Sequence, residues 1–194
     1  DTTESRGLGD VYKRQDVSGD DENIEVTNTS GATFKATGES ITFAGGKIDL
    51  ADGANLSIDS QNGAISVSGI AGHSDETVTI DAGTSSVALG AVGDSGSLQI
   101  HNLTVTGDGG ITLSGNIYTS QDGSAADITF NDTVNIQGTV VIDSDDASND
   151  GTITFTTGID GADGTGDNLT IEGGTAAITL QPIGVNTALS SLTI

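Results

Sequence analysis

Short runs that alternate apolar with small polar residues constrain the fold of this chain more than any other feature. Residues 41–43 (ITF), 56–58 (LSI) and 65–67 (ISV) are typical, and similar runs recur every seven to thirteen residues between Gly, Asp, Asn and Ser. Alternation with a period of two indicates β-strands, which Val, Ile, Thr and Phe favour. Helical periodicity is absent, and 29 Gly would interrupt long helices. The pattern therefore predicts an all-β protein.

The strand-like runs also repeat over a longer distance. Residues 41–43 (ITF) return at 128–130 (ITF), and the offset of about 87 residues changes only within turn-rich stretches. Stacked repeats behave in this way because each unit buries its apolar edge on the next. We therefore predict a first unit at about 41–127 and a second at about 128–194. Because the chain lacks an initial Met and ends within the second unit, we expect a fragment of a longer protein.

The residues before these units fall into two parts. Residues 1–15 hold three of the five basic residues and have no net charge, so the whole charge of −23 lies on 16–194. The string at 7–15 (GLGDVYKRQ) resembles translated read-through of a sequencing adapter, so we interpret 1–15 as a non-native scar and exclude it from the fold. Residues 16–40 are predicted to be a polar lead-in with one candidate first strand.

Two architectures accommodate strands of three to five residues. An antiparallel sandwich uses longer strands around an aromatic core, whereas this chain has only 4 Phe, 2 Tyr and no Trp. A parallel β-helix, or solenoid, tolerates short strands because each pairs above and below at a spacing of about 4.8 Å. We therefore predict a parallel β-helix of about five coils with three strands each. Its core is predicted to include Ile58, Ile65, Val67, Ile80, Ile142, Ile153, Phe155 and Ile171.

The strand motifs of the two units carry a family resemblance. In the second unit they read ITF, VNI, VVID, GTITF, NLTI and ITL, separated by turns rich in Gly and Asp. Over residues 41–194 the pattern resembles the repeats of filamentous-haemagglutinin-like and autotransporter-like bacterial surface proteins. The resemblance implies a secreted, right-handed β-helix that serves as an adhesin or surface stalk. It implies no catalytic residues, so we expect a non-enzymatic, extracellular stalk segment.

Charge and composition narrow the range of partners. A net charge of −23 disfavours nucleic acid, which requires clustered Lys and Arg. The absence of Cys excludes disulfides, thiolate metal sites and thiol catalysis. No apolar run approaches the ~20 residues that a membrane-spanning helix needs. The expected partner is therefore a cell-surface protein or glycan, and open terminal coils would allow end-to-end self-association.

Two acidic turns provide the best candidates for a cation site. Ca²⁺ prefers carboxylate and carbonyl oxygens, but neither turn completes an EF-hand or a calcium-binding nonapeptide. The candidate calcium ligands are Asp143, Asp145, Asp146, Asp150, Asp160, Asp163 and Asp167. The alternative is that these turns are solvated acidic loops that keep the protein soluble.

Other functions receive less support from the sequence. A calcium-dependent β-sandwich binding module is the main alternative, and a carbohydrate-active β-helix enzyme is a weaker one, because Lys35 and Lys47 are the only cations after Arg14. His73 and His101 lack the spacing of metal ligands and are predicted to be turn or surface residues.

Threonine pairs raise a further function, ice binding. Such pairs occur at residues 77–79 (TVT), 104–106 (TVT) and 152–154 (TIT). An ice-binding face needs these pairs in register on one flat surface, coil after coil. Their unequal spacings along the chain predict no such register, and threonine is also simply a good strand residue. Ice binding is therefore not expected.

Overall fold

The structure is a computed structural model that describes residues 11–13, 23–73, 75–119, 125–145 and 149–194, the first of these for the backbone only. Every regular element in these residues is a β-strand, which confirms the predicted all-β class. None of the described segments forms a helix with the length and apolar character needed to cross a membrane.

The described residues form twenty strands, most of them two to five residues long. Their bounds are Val11–Lys13 (β1), Ile24–Val26 (β2), Ala32–Lys35 (β3), Ile41–Phe43 (β4), Ile48–Leu50 (β5), Leu56–Asp59 (β6), Ile65–Ala71 (β7), Thr77–Asp81 (β8), Val87–Val92 (β9), Asn102–Thr106 (β10), Ile111–Leu113 (β11), Ile117–Tyr118 (β12), Ile128–Phe130 (β13), Val134–Ile136 (β14), Thr139–Asp143 (β15), Ile153–Phe155 (β16), Ile159–Gly161 (β17), Asn168–Glu172 (β18), Ile178–Thr179 (β19) and Ser191–Thr193 (β20).

The strands form two sheets that wind into a parallel β-solenoid. Sheet 2 has seven strands in the order β19-β16-β13-β10-β8-β6-β3, and sheet 1 contains the other thirteen. Sheet 1 covers two faces of the solenoid, and the long strands β7 and β9 pass from one face to the other. For example, β7 pairs with β4 through its first residues and with β5 through its last. Every pair is parallel except β1 with β2, so the alternative of an antiparallel sandwich is wrong.

The repeating unit of the structure is one coil. Partners in adjacent coils lie 22 residues apart for Asn55 and Thr77, 25 for Asn102 and Asp127, and 29 for Gly138 and Asp167. The seven strands of sheet 2 correspond to seven coils rather than the predicted five. The runs that predict five coils begin at residue 41 and so leave out β2 and β3, while β12 has only two residues, too few for alternation to reveal it.

The longer sequence repeat does not correspond to a whole number of coils. Residues 41–43 form β4 in sheet 1, whereas the matching residues 128–130 form β13 in sheet 2. The offset of about 87 residues therefore exceeds three coils without completing a fourth, and it moves a motif to another face. Strand motifs are interchangeable between faces because every face buries alternate apolar side chains in the same way.

A single apolar core runs along the axis of the solenoid. All eight predicted core residues are at most 2% exposed, which confirms the predicted inward register. Phe130 and Phe155 are paired neighbours in adjacent coils, and their rings stack at a centroid distance of 5.2 Å. Alternation within short strands is sufficient to place these side chains inside, since residues two apart share a face.

The outer face of sheet 2 carries a regular line of hydroxyl side chains. Register pairing aligns one hydroxyl residue from each of the seven coils, and we call this line the threonine column. Its members are Thr33, Ser57, Thr79, Thr104, Thr129, Thr154 and Thr179. The threonine pairs themselves are not in register, as predicted, because Thr77 pairs with Asn102 and Thr106 pairs with Asp81; only one hydroxyl position per coil aligns.

The N-terminal residues contribute one described strand. The backbone of Val11–Lys13 pairs antiparallel with Ile24–Val26 in the first coil. Part of the segment interpreted as a scar thus lies against the solenoid. The other residues of 1–15 lie outside the described residues, as do 16–22 of the lead-in.

Candidate functional site

Side chains of Asn and Asp at the corners join each coil to the next. Oδ1 of Asn55 accepts a hydrogen bond from the Thr77 N–H at 2.7 Å, and Oδ1 of Asn102 accepts one from the Asp127 N–H at 2.8 Å. Asp127 in turn accepts from both the N–H and the hydroxyl of Thr152 at 2.8 Å. These contacts satisfy backbone donors that the sheets leave unpaired at the corners. Much of the acidic composition therefore has a structural use.

Asp160 and Asp167, two of the predicted calcium ligands, are buried and bonded to the neighbouring coil. Asp160 accepts from the backbone and side-chain N–H groups of Asn186 at 3.0 and 2.7 Å. Burial raises the pKa of Asp160, but these hydrogen bonds outweigh it and leave the pKa below its ordinary value. Asp167 accepts from Gly138 N–H at 2.9 Å and Gly164 N–H at 3.0 Å, and the Gly138 bond is the main cause that lowers the pKa of Asp167.

The other predicted ligands are dispersed along their turns. Asp143 accepts from the Asp145 N–H at 2.8 Å, and burial raises the pKa of Asp143. Asp150 accepts from the hydroxyl of the next coil's Thr175 at 2.6 Å. Asp163 accepts from Thr165 within its own turn at 2.8 Å, while Asp146 lies outside the described residues. Among the described residues, no three of the predicted ligands converge.

Three other carboxylates do converge, at a corner where neither acidic turn lies. Asp52 follows β5, and Asp75 and Glu76 precede β8 one coil later. One oxygen of each lies within 4.8 Å of the others. We call this group the acidic corner. Asp52 and Asp75 are exposed, whereas Glu76 is fully buried.

Backbone N–H groups and two glycines hold the acidic corner together. Gly53 N–H donates to Asp75 at 2.7 Å and to Glu76 at 3.2 Å, and His73 N–H donates to the other Glu76 oxygen at 2.7 Å. Gly53 has a φ of +78°, a conformation that few other residues adopt. A Cβ on Gly72 would lie 2.5 Å from Glu76 Oε2, so only glycine leaves room for this carboxylate.

The surroundings of the acidic corner shift the pKa values of its two adjacent carboxyl groups, Asp75 and Glu76, in opposite directions. Burial raises the pKa of Glu76, and the neighbouring Asp75 raises it further. The Gly53 N–H lowers the pKa of Asp75. Such a group could hold a shared proton or a divalent cation, because both neutralise the buried charge. The sequence signal for it was an Asp-Gly turn followed one coil later by Asp-Glu, which is visible only when the 22-residue coil is known.

The two histidines do not form a site together. His73 is exposed in the turn before Glu76, and His101 is partly buried after Ile100. Neither histidine contributes a ring nitrogen to the group of potential ligands at the acidic corner. The prediction of turn or surface positions therefore agrees with their placement.

Comparison with models of protein families, with curated proteins and with solved structures found no match to this chain. The parallel solenoid is compatible with a β-helix repeat protein of the kind that the sequence resembles.

Proposed function

We propose that this chain is a non-enzymatic, extracellular stalk segment of a large bacterial surface protein with an adhesive role. The observation that carries the proposal is the continuous parallel pairing of seven coils around one apolar core. In a solenoid each coil contacts only its neighbours, so added coils extend the molecule along one axis. A protein built in this way is suited to hold a binding surface away from a cell.

The outer surface of the solenoid, which we call the wall, supports the same role. The apolar side chains lie inside, and among the described residues only Val185, Leu192 and Ile194 are large, apolar and exposed. The net charge of −23 opposes lateral association of neighbouring stalks. We propose a cell-surface protein or glycan as the partner, because the outer wall of the solenoid is accessible to either class of molecule.

The stalk proposal can be tested by changing the number of coils. Residues 128–152 comprise one coil between register partners Ile128 and Ile153. Inserting three further copies should lengthen the particle by about 14 Å without changing its cross-section, because coils stack about 4.8 Å apart. Small-angle X-ray scattering measures both quantities. A control insertion of a Gly/Ser linker of equal length should leave the folded rod unchanged, and equal dimensions for both insertions would overturn the proposal.

The threonine column favours a second candidate function, ice binding. Its seven members follow one another in every coil, and none of them carries a charge although the chain has 28 acidic residues. Hydroxyl groups repeated about every 4.8 Å along sheet 2 supply one regular row, although a second, paired row is interrupted where Thr77 meets Asn102. This candidate would use sheet 2 and leave the stalk role of the solenoid intact.

Inhibition of ice recrystallisation tests this second function. Thr129→Tyr should abolish inhibition, because a ring at the centre of the column would interrupt its flat surface. Thr112→Tyr is the matched control, since Thr112 also points outward on a central strand but belongs to sheet 1. The second function is wrong if the unmodified chain leaves ice crystals unaffected, or if both variants lose activity equally.

A further inference from the structure

A cleft opens in sheet 1 where its two faces meet. Its volume is about 390 Å³, within the range of roughly 300–1,000 Å³ that is typical of small-molecule sites. We call it the glycine cleft, and its central lining residues are Lys47, Ser68, Gly69, Ala91, Gly93 and Asp94. They come from three successive coils, because Lys47 precedes β5, Gly69 lies in β7 and Ala91 lies in β9.

Glycines leave part of the cleft's lining without side chains. A Cβ on Gly69 would lie 3.4 Å from both the Cβ of Lys47 and the carbonyl oxygen of Ala91. Gly93 has a φ of +69°, and a Cβ there would lie 2.5 Å from the Tyr118 carbonyl oxygen. Gly93 therefore accommodates no larger residue without displacement, whereas a Cβ at Gly69 would touch its neighbours at ordinary contact distance. The backbone itself therefore forms the floor, and a flat ligand can approach it closely.

Hydrogen bonds hold the rim of the cleft in place. The Ser68 hydroxyl lies 2.8 Å from the carbonyl oxygen of Phe43 and 2.9 Å from that of Gly46, which ties β7 to the turn of the previous coil. Oδ1 of Asp94 accepts the Gly96 N–H at 2.8 Å and the Leu98 N–H at 3.1 Å. The carboxylate of Asp94 is thereby fixed as a hydrogen-bond acceptor at the edge of the cleft.

Lys47 gives the cleft a positive charge. Lys35 and Lys47 are the only cations after residue 15, and Lys35 is engaged with Asp59 at 2.8 Å. Within the part of the chain that the structure describes, Lys47 makes no ion pair. An unpaired ammonium beside a cavity, in a chain of net charge −23, selects a ligand with a localised negative charge.

We propose that the glycine cleft binds a carboxylated sugar of an acidic glycan, an inference that rests on the proposed adhesive function and names its ligand class. The carboxylate would pair with the ammonium of Lys47, and ring hydroxyls would donate to Asp94. Ala91 and Leu98 offer an apolar surface to one face of the ring. A single ammonium matches a monoanion, whereas sulfated or phosphorylated glycans carry denser charge that the acidic wall repels.

Isothermal titration calorimetry with methyl α-galacturonoside, a single sugar that carries one carboxylate, tests the proposal on the full chain. The free acid should bind, and its methyl-esterified form should bind at least tenfold more weakly. Lys47→Gln should abolish binding of the acid form, because Lys47 is the one cation among the described residues that line the cleft. Lys35→Gln is the matched control: it makes the same charge change outside the cleft and should leave binding unchanged.

Two further measurements separate the ways in which the experiment can fail. The melting temperature of Lys47→Gln should equal that of the unmodified chain, so that loss of binding is not loss of fold. Three outcomes would overturn the proposal that the cleft binds a carboxylated sugar: equal binding of acid and ester, equal binding by Lys47→Gln, or absence of binding by the unmodified chain. If that happens while the coil insertions still lengthen the particle, the stalk proposal stands without this ligand.

Discussion

At the scale of single residues, buried carboxyl groups decide how the stability of this protein depends on pH. Asp160 and Asp167 have lowered pKa values because they accept hydrogen bonds as anions. The stability that they contribute is present above the ordinary aspartate value of 3.8 and is lost as the pH falls toward their folded-state values. Glu76 and Asp143 act in the opposite direction, because burial raises the pKa of each and favours its protonated form.

Glu76 allows a direct test of this argument. Its pKa in the folded state lies above the ordinary value of 4.5, so the folded protein binds its proton more tightly than the unfolded chain. The free energy of unfolding should therefore fall as the pH rises from 4.5 through the folded-state pKa of Glu76. Glu76→Gln, which does not titrate, should flatten this part of the curve. Urea denaturation at a series of pH values measures the effect.

Truncation of the same side chain tests its structural role. Glu76→Ala should destabilise the protein by about 1–3 kcal/mol, because it leaves the His73 N–H without its acceptor and removes the more distant of the two acceptors of the Gly53 N–H. Glu39→Ala is the control, since Glu39 is exposed and its truncation should stay within about 0.5 kcal/mol. An equal effect of both variants would show that the acidic corner does not stabilise the fold.

At the scale of the strand, the inward side chains contribute most of the stability. Ile142 on β15 is fully buried and lies between Ile117 and Ile171 of the adjacent coils. Ile142→Ala should lower the free energy of unfolding by about 2–5 kcal/mol, because it leaves a cavity that the paired backbones cannot close. Val185→Ala removes apolar atoms from a side chain that is 71% exposed and should have little effect. Chemical denaturation measures both variants, and a small loss for Ile142→Ala would contradict the packing of the core.

At the scale of the whole molecule, stability should increase with the number of coils. Each added coil contributes its own interactions and one further interface with a neighbour, as expected for a quasi-one-dimensional array. Variants with one, two and three extra copies of residues 128–152 should therefore show stepwise increases in the denaturant m-value and midpoint. A single unchanged transition for all lengths would mean that the added coils do not join the cooperative unit.

The acidic corner, the threonine column and the glycine cleft depend on tertiary structure in the same way. Asp75 reaches Gly53 across 22 residues, whereas Asp167 reaches Gly138 across 29. The lengths of the turns set these separations along the sequence. Turns between strands vary in length with little effect on the apolar pattern. The carboxylates predicted as calcium ligands are close to one another in sequence. Proximity in a solenoid is instead decided by the position within the coil.

The sequence by itself determined the class of fold and the inward residues of each strand, because alternation and turn residues act over a few neighbours and need no knowledge of distant partners. The right-handed sense of the coil, which the resemblance of the sequence implies, stays a prediction. Only the tertiary structure decided the number of coils and the register between them, and hence which residues meet on the surface. The physical reason is that backbone pairing between coils is set by the length of each turn, whereas alternation distinguishes only inside from outside.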